Sequence, residues 1–299
     1  MITLGFEINR TMRFFYYLII YPLSRLPWAM AYALSTFLYY TLYKILRYRV
    51  GIVNKNLRNS FPEKSNAEIR DIRRKFYRHF CDVMVESLKM QSITKEELAE
   101  RQKVTNPEIV DHIFEQGRGL IVASGHYNNW EYVATGINPW FKHQTLGIYH
   151  QFKNKWLEKK MLETRGVTGM VLVSRKAVRE GFFEKNKAPY AIFFGVDQSP
   201  TIAKKVYWTT FLNQETAVAF GAEKYAKERD YPVIFADTKK VKRGHYEMTI
   251  RILTENPKDL PHGAITEMHT KALEEQIKRD PVYWLWSHKR WKRKRKAGE

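Results

Sequence analysis

The chain has 299 residues, enough for one large or two modest domains with a real core. Lys and Arg number 51 against 31 Asp and Glu, a formal +20 that calls for an anionic partner: nucleic acid, an anionic membrane surface, a phosphorylated substrate or an acidic protein. The single cysteine, Cys81, excludes an intramolecular disulfide framework and a cysteine-rich zinc site, and its apolar helical surroundings fit a packed thiol better than a nucleophile.

No charged residue occurs from Phe14 to Ser24, nor in the 18 residues from Leu26 to Tyr43. Both runs are rich in Tyr, Phe and Trp, which favour the headgroup level, and the second approaches spanning length. No small-residue cleavage site follows, so a removable signal peptide is not expected. Lys44, Arg47, Arg49, Lys55 and Arg58 crowd the downstream flank. By the positive-inside tendency they place the following domain in the cytoplasm. The expectation is an N-terminal membrane-associated helical segment over 1–50, spanning or lying in one leaflet; two buried core helices are the alternative.

Gly51–Glu63 reads as a loop or frayed helix ending at Pro62. Ser65 with Glu68 forms a capping box opening a long helix, with Ile69, Ile72, Phe76, Phe80, Val83 and Leu88 on one face and Arg70, Arg73, Arg74 and Lys75 on the other. A short helix near Pro107–Gln116 precedes Leu120–Ala123, a buried strand. Strand-like runs follow at Leu146–Tyr149, Met170–Val173, Tyr190–Val196 and Pro232–Ala236, with helix-like stretches at Lys155–Glu163, Arg175–Glu184 and Thr216–Arg229. This alternation predicts an α/β fold with a mixed, mostly parallel central sheet flanked by helices, occupying 51–288. Val206–Phe211 and Tyr246–Leu253 read as added edge strands. The tail from 289 to 299 is polybasic, with seven basic residues among the eight from Lys289 to Lys296. It reads either as a solvated end or as an anchor to an anionic leaflet, at about 1 kcal/mol per residue.

The chain organises around Ser124-Gly125-His126-Tyr127-Asn128-Asn129-Trp130-Glu131. On one continuous helix His126 and Glu131 would point about 140° apart. With His126 on the strand-to-helix turn and the helix starting near Asn128, the two can meet as a general base and its carboxylate. The same residues also fit a plain capping box, Asn128 at the N-cap and Glu131 three residues on. Nucleotide, dinucleotide and nucleophile-elbow motifs are missing, as is H-E-x-x-H; His143 and His150 have no third ligand nearby in sequence. What remains is direct transfer: a base activates an acceptor hydroxyl that attacks a carbonyl, without an acyl-enzyme.

Those eight residues resemble the G-H-x-x-N-W-E signature of the bacterial lipid A late acyltransferases, the lauroyl and myristoyl transferases of lipopolysaccharide assembly, which share the H-x-x-x-x-D/E motif of glycerolipid acyltransferases. Asn56-Leu57 with Phe61-Pro62-Glu63, Lys153-Asn154 with Arg165 and Gly169, Asp197-Gln198, and Pro281 to Lys292 (P-x-x-W-x-W-x-H-x-R-W-K) extend the likeness over most of the chain. The chain departs from the family pattern at Phe211-Leu212-Asn213 and Phe220-Gly221-Ala222, regions that bear on substrate rather than on reaction class.

The resemblance implies a glycerolipid-acyltransferase-like fold, with His126 as general base and Glu131 fixing its tautomer. Asn129, Arg165, Asp197 and Gln198 become substrate-binding positions, Arg165 for an oxyanion or a phosphate. It implies an acyl carrier protein thioester as donor and a phosphorylated lipid A precursor as acceptor, with no metal or other cofactor. Another lipid acceptor (lysophospholipid, glycolipid or aminolipid), with acyl-CoA as donor, is the alternative. The expected place is the inner membrane, catalytic domain toward the cytoplasm. A nucleic-acid binder is disfavoured, because the basic residues sit in the tail and on helix flanks rather than among aromatics on a sheet face.

Overall fold

The computed structural model describes residues 11–200 and 206–295. The N-terminal part is helical but broken into Tyr16–Ile20, Tyr21–Ser24, α1 (Trp28–Tyr39) and Tyr40–Ile45. Pro27 causes the main break, holding extended backbone (ψ 146°) just before Trp28. A helix the length of α1 rises roughly 18 Å, short of the ~30 Å hydrocarbon core. Among the described residues no helix is long and apolar enough to cross a membrane. The expected membrane segment is therefore a string of short helices, and α1 packs on the protein. Its buried Ala31, Ser35 and Tyr39 recur every four residues. The Ser35 hydroxyl donates to Asp82 at 2.6 Å.

The stretch after Arg49, expected as a loop or frayed helix, is a continuous helix, α2 (Val50–Ser60). Val53, Asn56, Leu57 and Ser60 are buried at one-face spacing, and that burial outweighs a weakly helical composition. The long helix α3 (Asn66–Lys89) opens on the predicted capping box, Ser65 with Glu68. Part of its basic face is engaged internally: Arg74 and Lys75 are neutralised by Asp71, and Arg73 donates to the neutral Asn54 amide. Cys81 is buried, and burial pushes its thiol up to about 12, so it is no nucleophile.

After α4 (Lys95–Arg101) come β1 (Gln102–Val104), β2 (Leu120–Ser124), α5 (Trp130–Gly136), β3 (Gln144–Tyr149), α6 (Lys155–Arg165), β4 (Val171–Ser174), β5 (Tyr190–Gly195), β6 (Val206–Phe211), β7 (Gln214–Ala219), α7 (Gly221–Arg229), β8 (Val233–Lys242), β9 (His245–Thr254) and α8 (Ala264–Arg279). Among the described residues a seven-stranded sheet runs β1-β9-β8-β2-β5-β3-β4, with every pairing parallel except β8–β9. The predicted mixed, mostly parallel α/β fold is what forms. Strand β2 lies near the middle. Ile121 and Ala123 enter the core on one face, Leu120 and Val122 the core on the other, which is why its sequence is apolar without alternation.

Three further elements differ from their sequence readings. Strand β9 is interior, flanked by β8 and β1, rather than at an edge. Strand β6 leaves the sheet and pairs with β7 in a separate hairpin, so the helix expected from Thr216 begins at Gly221. Phe211 opposes Gln214, so only Leu212 and Asn213 turn the hairpin, both at positive φ (49° and 62°). That backbone suits Asn far better than Leu. Leu212 is held there by burial and by its N–H donating to Glu274 at 2.8 Å. The third is the helical stretch 175–184, which divides into Arg175–Arg179 and Phe182–Lys185 around Gly181 at φ 86°.

Candidate active site

Register builds the site. Strands β2 and β5 are parallel neighbours with Ser124 beside Gly195, so the residues two positions on, His126 and Asp197, leave the same end of the sheet side by side. Strand ends at this edge are where open α/β sheets assemble ligand sites. Gly195 leaves room for the imidazole: a Cβ there would stand 3.3 Å from His126 Cε1. Gly125 is needed because a Cβ would press to 2.5 Å from Leu273 of α8.

Asp197 is 4 % exposed and accepts three N–H donors. His126 Nδ1–H reaches Oδ1 at 2.6 Å, the His126 backbone N–H reaches Oδ2 at 2.8 Å, and the Trp284 indole reaches Oδ2 at 2.7 Å. Burial alone would raise the Asp197 pKa, but the imidazole and these hydrogen bonds pull it down to about 2. Burial also opposes the imidazolium of His126, yet the adjoining carboxylate outweighs it and the pKa is raised above the usual histidine value. With Nδ1 committed to Asp197, Nε2 is the basic atom, and the Gln198 side-chain amide donates to it at 2.9 Å. The Trp130 ring packs beside the imidazole, centroids 5.3 Å apart.

Glu131 does not hydrogen bond His126, so the expected His126–Glu131 dyad is replaced by His126–Asp197. Helix α5 starts one residue later than expected. Asn129 is its N-cap, accepting from Tyr132 N–H at 3.0 Å, and Asn128 sits at φ 53° with its N–H on Tyr283 O. Glu131 therefore points into a different partnership: Arg165 at the end of α6 donates Nε and Nη2 to its two oxygens at 3.1 and 2.8 Å. Asn129, expected at the substrate, is fully buried with both ends of its amide engaged, Nδ2 donating to Glu86 at 2.7 Å. Glu86 also accepts from Tyr246 (2.8 Å) and Tyr32 (3.1 Å), tying the start of α5 to α3, β9 and α1.

The C-terminal strap, residues 281–291, closes the site's far side. Tyr127 and Trp284 form an isolated bridge, Leu285 N–H donates to His126 O at 3.1 Å, and Ser199 N–H donates to His288 Nε2 at 3.1 Å. Burial lowers the His288 pKa, which keeps that nitrogen available as an acceptor. The polybasic tail is partly docked rather than free. Arg290 is 3 % exposed and donates to Ala217 O, and the Trp291 indole donates to Thr216, both on β7. Lys296–Glu299 lie outside the described residues.

Beside this cluster opens a cavity of about 760 Å³, in the size range of small-molecule sites. Phe15, Ile20, Met90, Trp156, Leu157 and Met161 supply apolar wall, while Trp130, Glu131 and Arg165 form the end nearest the imidazole. Asp197 as the histidine's partner, Trp284 and this cavity were not assigned from sequence. The D-Q after a strand and the W-x-W-x-H run were the available signals. Among the described residues no three His, Cys, Asp or Glu side chains are grouped to hold a metal.

An imidazole at a parallel-strand end, locked by a buried carboxylate and set beside an apolar cavity, has the arrangement of a general base in an α/β enzyme, and a family match identifies that enzyme as an acyltransferase. The bacterial lipid A biosynthesis acyltransferase family matches residues 5–293, and the chain belongs to it. No curated protein matches the chain.

Proposed function

We propose that the protein moves a fatty acyl group from an acyl carrier protein thioester to a hydroxyl of a lipid A precursor, with no acyl-enzyme. His126 Nε2 takes the acceptor's hydroxyl proton as its oxygen attacks the thioester carbonyl. Collapse of the tetrahedral intermediate forms the ester and expels the thiolate, which takes the proton back from His126. Asp197 fixes the tautomer and stabilises the transient imidazolium, the carboxylate's role in a triad. Arg165, oriented by Glu131, offers its remaining N–H donors to the oxyanion or to a substrate phosphate. Gln198, now on Nε2, yields that nitrogen to the acceptor hydroxyl and helps to place it. The apolar cavity takes the acyl chain.

The observation that carries this reading is the pairing of a partly exposed His126 with the buried Asp197 carboxylate, with Trp130 linking it to the apolar cavity. Exposed Phe14, Phe15, Leu18, Phe37, Ile45 and Leu46, flanked by Lys44, Arg47 and Arg49, support docking of the N-terminal helices in the interface of the inner membrane from its cytoplasmic side. Lipid mass spectrometry of cells with and without the protein tests acceptor and chain length together. A lipid A species lacking one acyl chain is expected, and a change confined to phospholipids or aminolipids overturns the acceptor. With purified protein, His126→Ala should lower the rate about 10²–10⁴-fold at unchanged Tm. A loss below about threefold would remove His126 as the base.

A further inference from the structure

Basic residues of α2, of the strap and of the chain just after it converge on a groove far smaller than the apolar cavity. It encloses about 240 Å³, and Lys55, Lys289, Lys292 and Lys294 line it, with Ile52 and Trp291 as apolar wall. Its two sides are fastened to each other. Asn56 of α2 donates its amide to Trp286 O at 2.9 Å and to His288 O at 3.0 Å, and Arg49 donates to Ser287 O at 3.0 Å. The Trp291 indole is pinned to Thr216. The frame is thus set by buried and part-buried hydrogen bonds while the four lysine side chains remain exposed.

None of the four forms an ion pair with a described residue. The nearby carboxylate of Glu215 is directed to Arg295 instead. Several other surface lysines are neutralised, as in Lys75 with Asp71, Lys142 with Asp111 and Glu115, and Lys155 with Glu158. Four uncompensated ammonium groups around one small opening repel each other and create a strongly positive local potential. The volume is below that of ordinary small-molecule sites, so it suits a compact group rather than an acyl chain. Lysine ammoniums act as compact point charges, suited to a doubly charged phosphomonoester without needing a planar fork.

We infer that this groove is a phosphate-binding site for a phosphomonoester group, presented by a lipid headgroup at the membrane surface or as a free anion. Position favours the headgroup. Ile45 and Leu46, 74 % and 64 % exposed, close the helical string that precedes α2, so the groove's α2 wall follows an exposed apolar surface closely along the chain. Occupancy also bears on the site, because the same strap carries Trp284 to Asp197 and His288 to Ser199. The inference does not depend on the transfer reaction.

The test is co-sedimentation of the full chain with phosphatidylcholine vesicles containing about 10 % phosphatidic acid, about 10 % phosphatidylglycerol, or neither, at physiological ionic strength. Phosphatidic acid vesicles should bind best. Lys55→Gln with Lys292→Gln should weaken that binding about 30-fold. Lys103→Gln with Lys187→Gln, which removes the same charge elsewhere, should cost about threefold or less, and Lys55→Arg with Lys292→Arg should retain binding. Added inorganic phosphate separates the two sources: displacement through the same lysines marks a site for the free anion, and resistance marks a headgroup site. Equal losses in the groove and control pairs overturn the inference, as does the lack of any preference for phosphatidic acid. It is equally overturned if the groove pair affects binding of an acidic carrier protein and no vesicle or phosphate.

Discussion

Two carboxylates flank the reacting region, and their settings differ. Asp197 is enclosed, accepts three N–H donors and is pulled down to about 2. Glu131 keeps about a quarter of its side chain exposed and meets an Arg165 that is 38 % exposed. The first is a fixed charge whose partner cannot be removed cheaply, since an uncompensated buried charge costs several kcal/mol. The second is a half-exposed ion pair, worth about 1 kcal/mol or less to the fold. A buried carboxylate suits permanent orientation of a base. A half-exposed pair suits a group that must answer to a substrate at the mouth of a cavity.

Substitutions should separate the two. Asp197→Asn should give the largest effect, about 10³-fold in kcat, by removing both the tautomer preference and the charge facing the imidazolium. It should also move the pH profile. The raised pKa of His126 keeps imidazolium populated above pH ~6.5, so the wild-type rate climbs with pH as the free base appears, with its midpoint above that value. In Asp197→Asn the midpoint should shift to lower pH while the plateau falls. An unmoved acid limb would reassign the base.

Glu131→Gln should cost about 10-fold, chiefly through KM, with the acid limb nearly in place, because Arg165 loses its bidentate anchor while His126 keeps its own. A loss as large as that of Asp197→Asn, with the same pH shift, would erase the distinction. Gln198→Ala should have the smallest effect, about 3–10-fold, from loss of one side-chain hydrogen bond near the acceptor. Steady-state kinetics on a defined acceptor, with Tm for each variant, checks all three.

Much of this was legible in the chain itself. Apolar runs such as Leu120–Ala123 and Tyr190–Phe194, separated by helix-length stretches, specify a buried parallel sheet because only strands covered on both faces can be apolar without alternation. The Ser65–Glu68 box marked the start of α3 for a local reason, two side chains satisfying backbone donors within one turn. The motif around His126 was equally visible, since its residues are consecutive.

What sequence could not decide is which carboxylate the histidine faces. Glu131 is five residues away and Asp197 seventy-one, yet the β2–β5 register brings the distant one to 2.6 Å and a one-residue shift in the start of α5 leaves the near one to Arg165. The apolar cavity likewise needs the N-terminal helices, α3 and α6 packed together. Local patterns are set by backbone chemistry within a few residues. Partnerships across the site are set by strand order and packing, which no stretch of the chain contains alone.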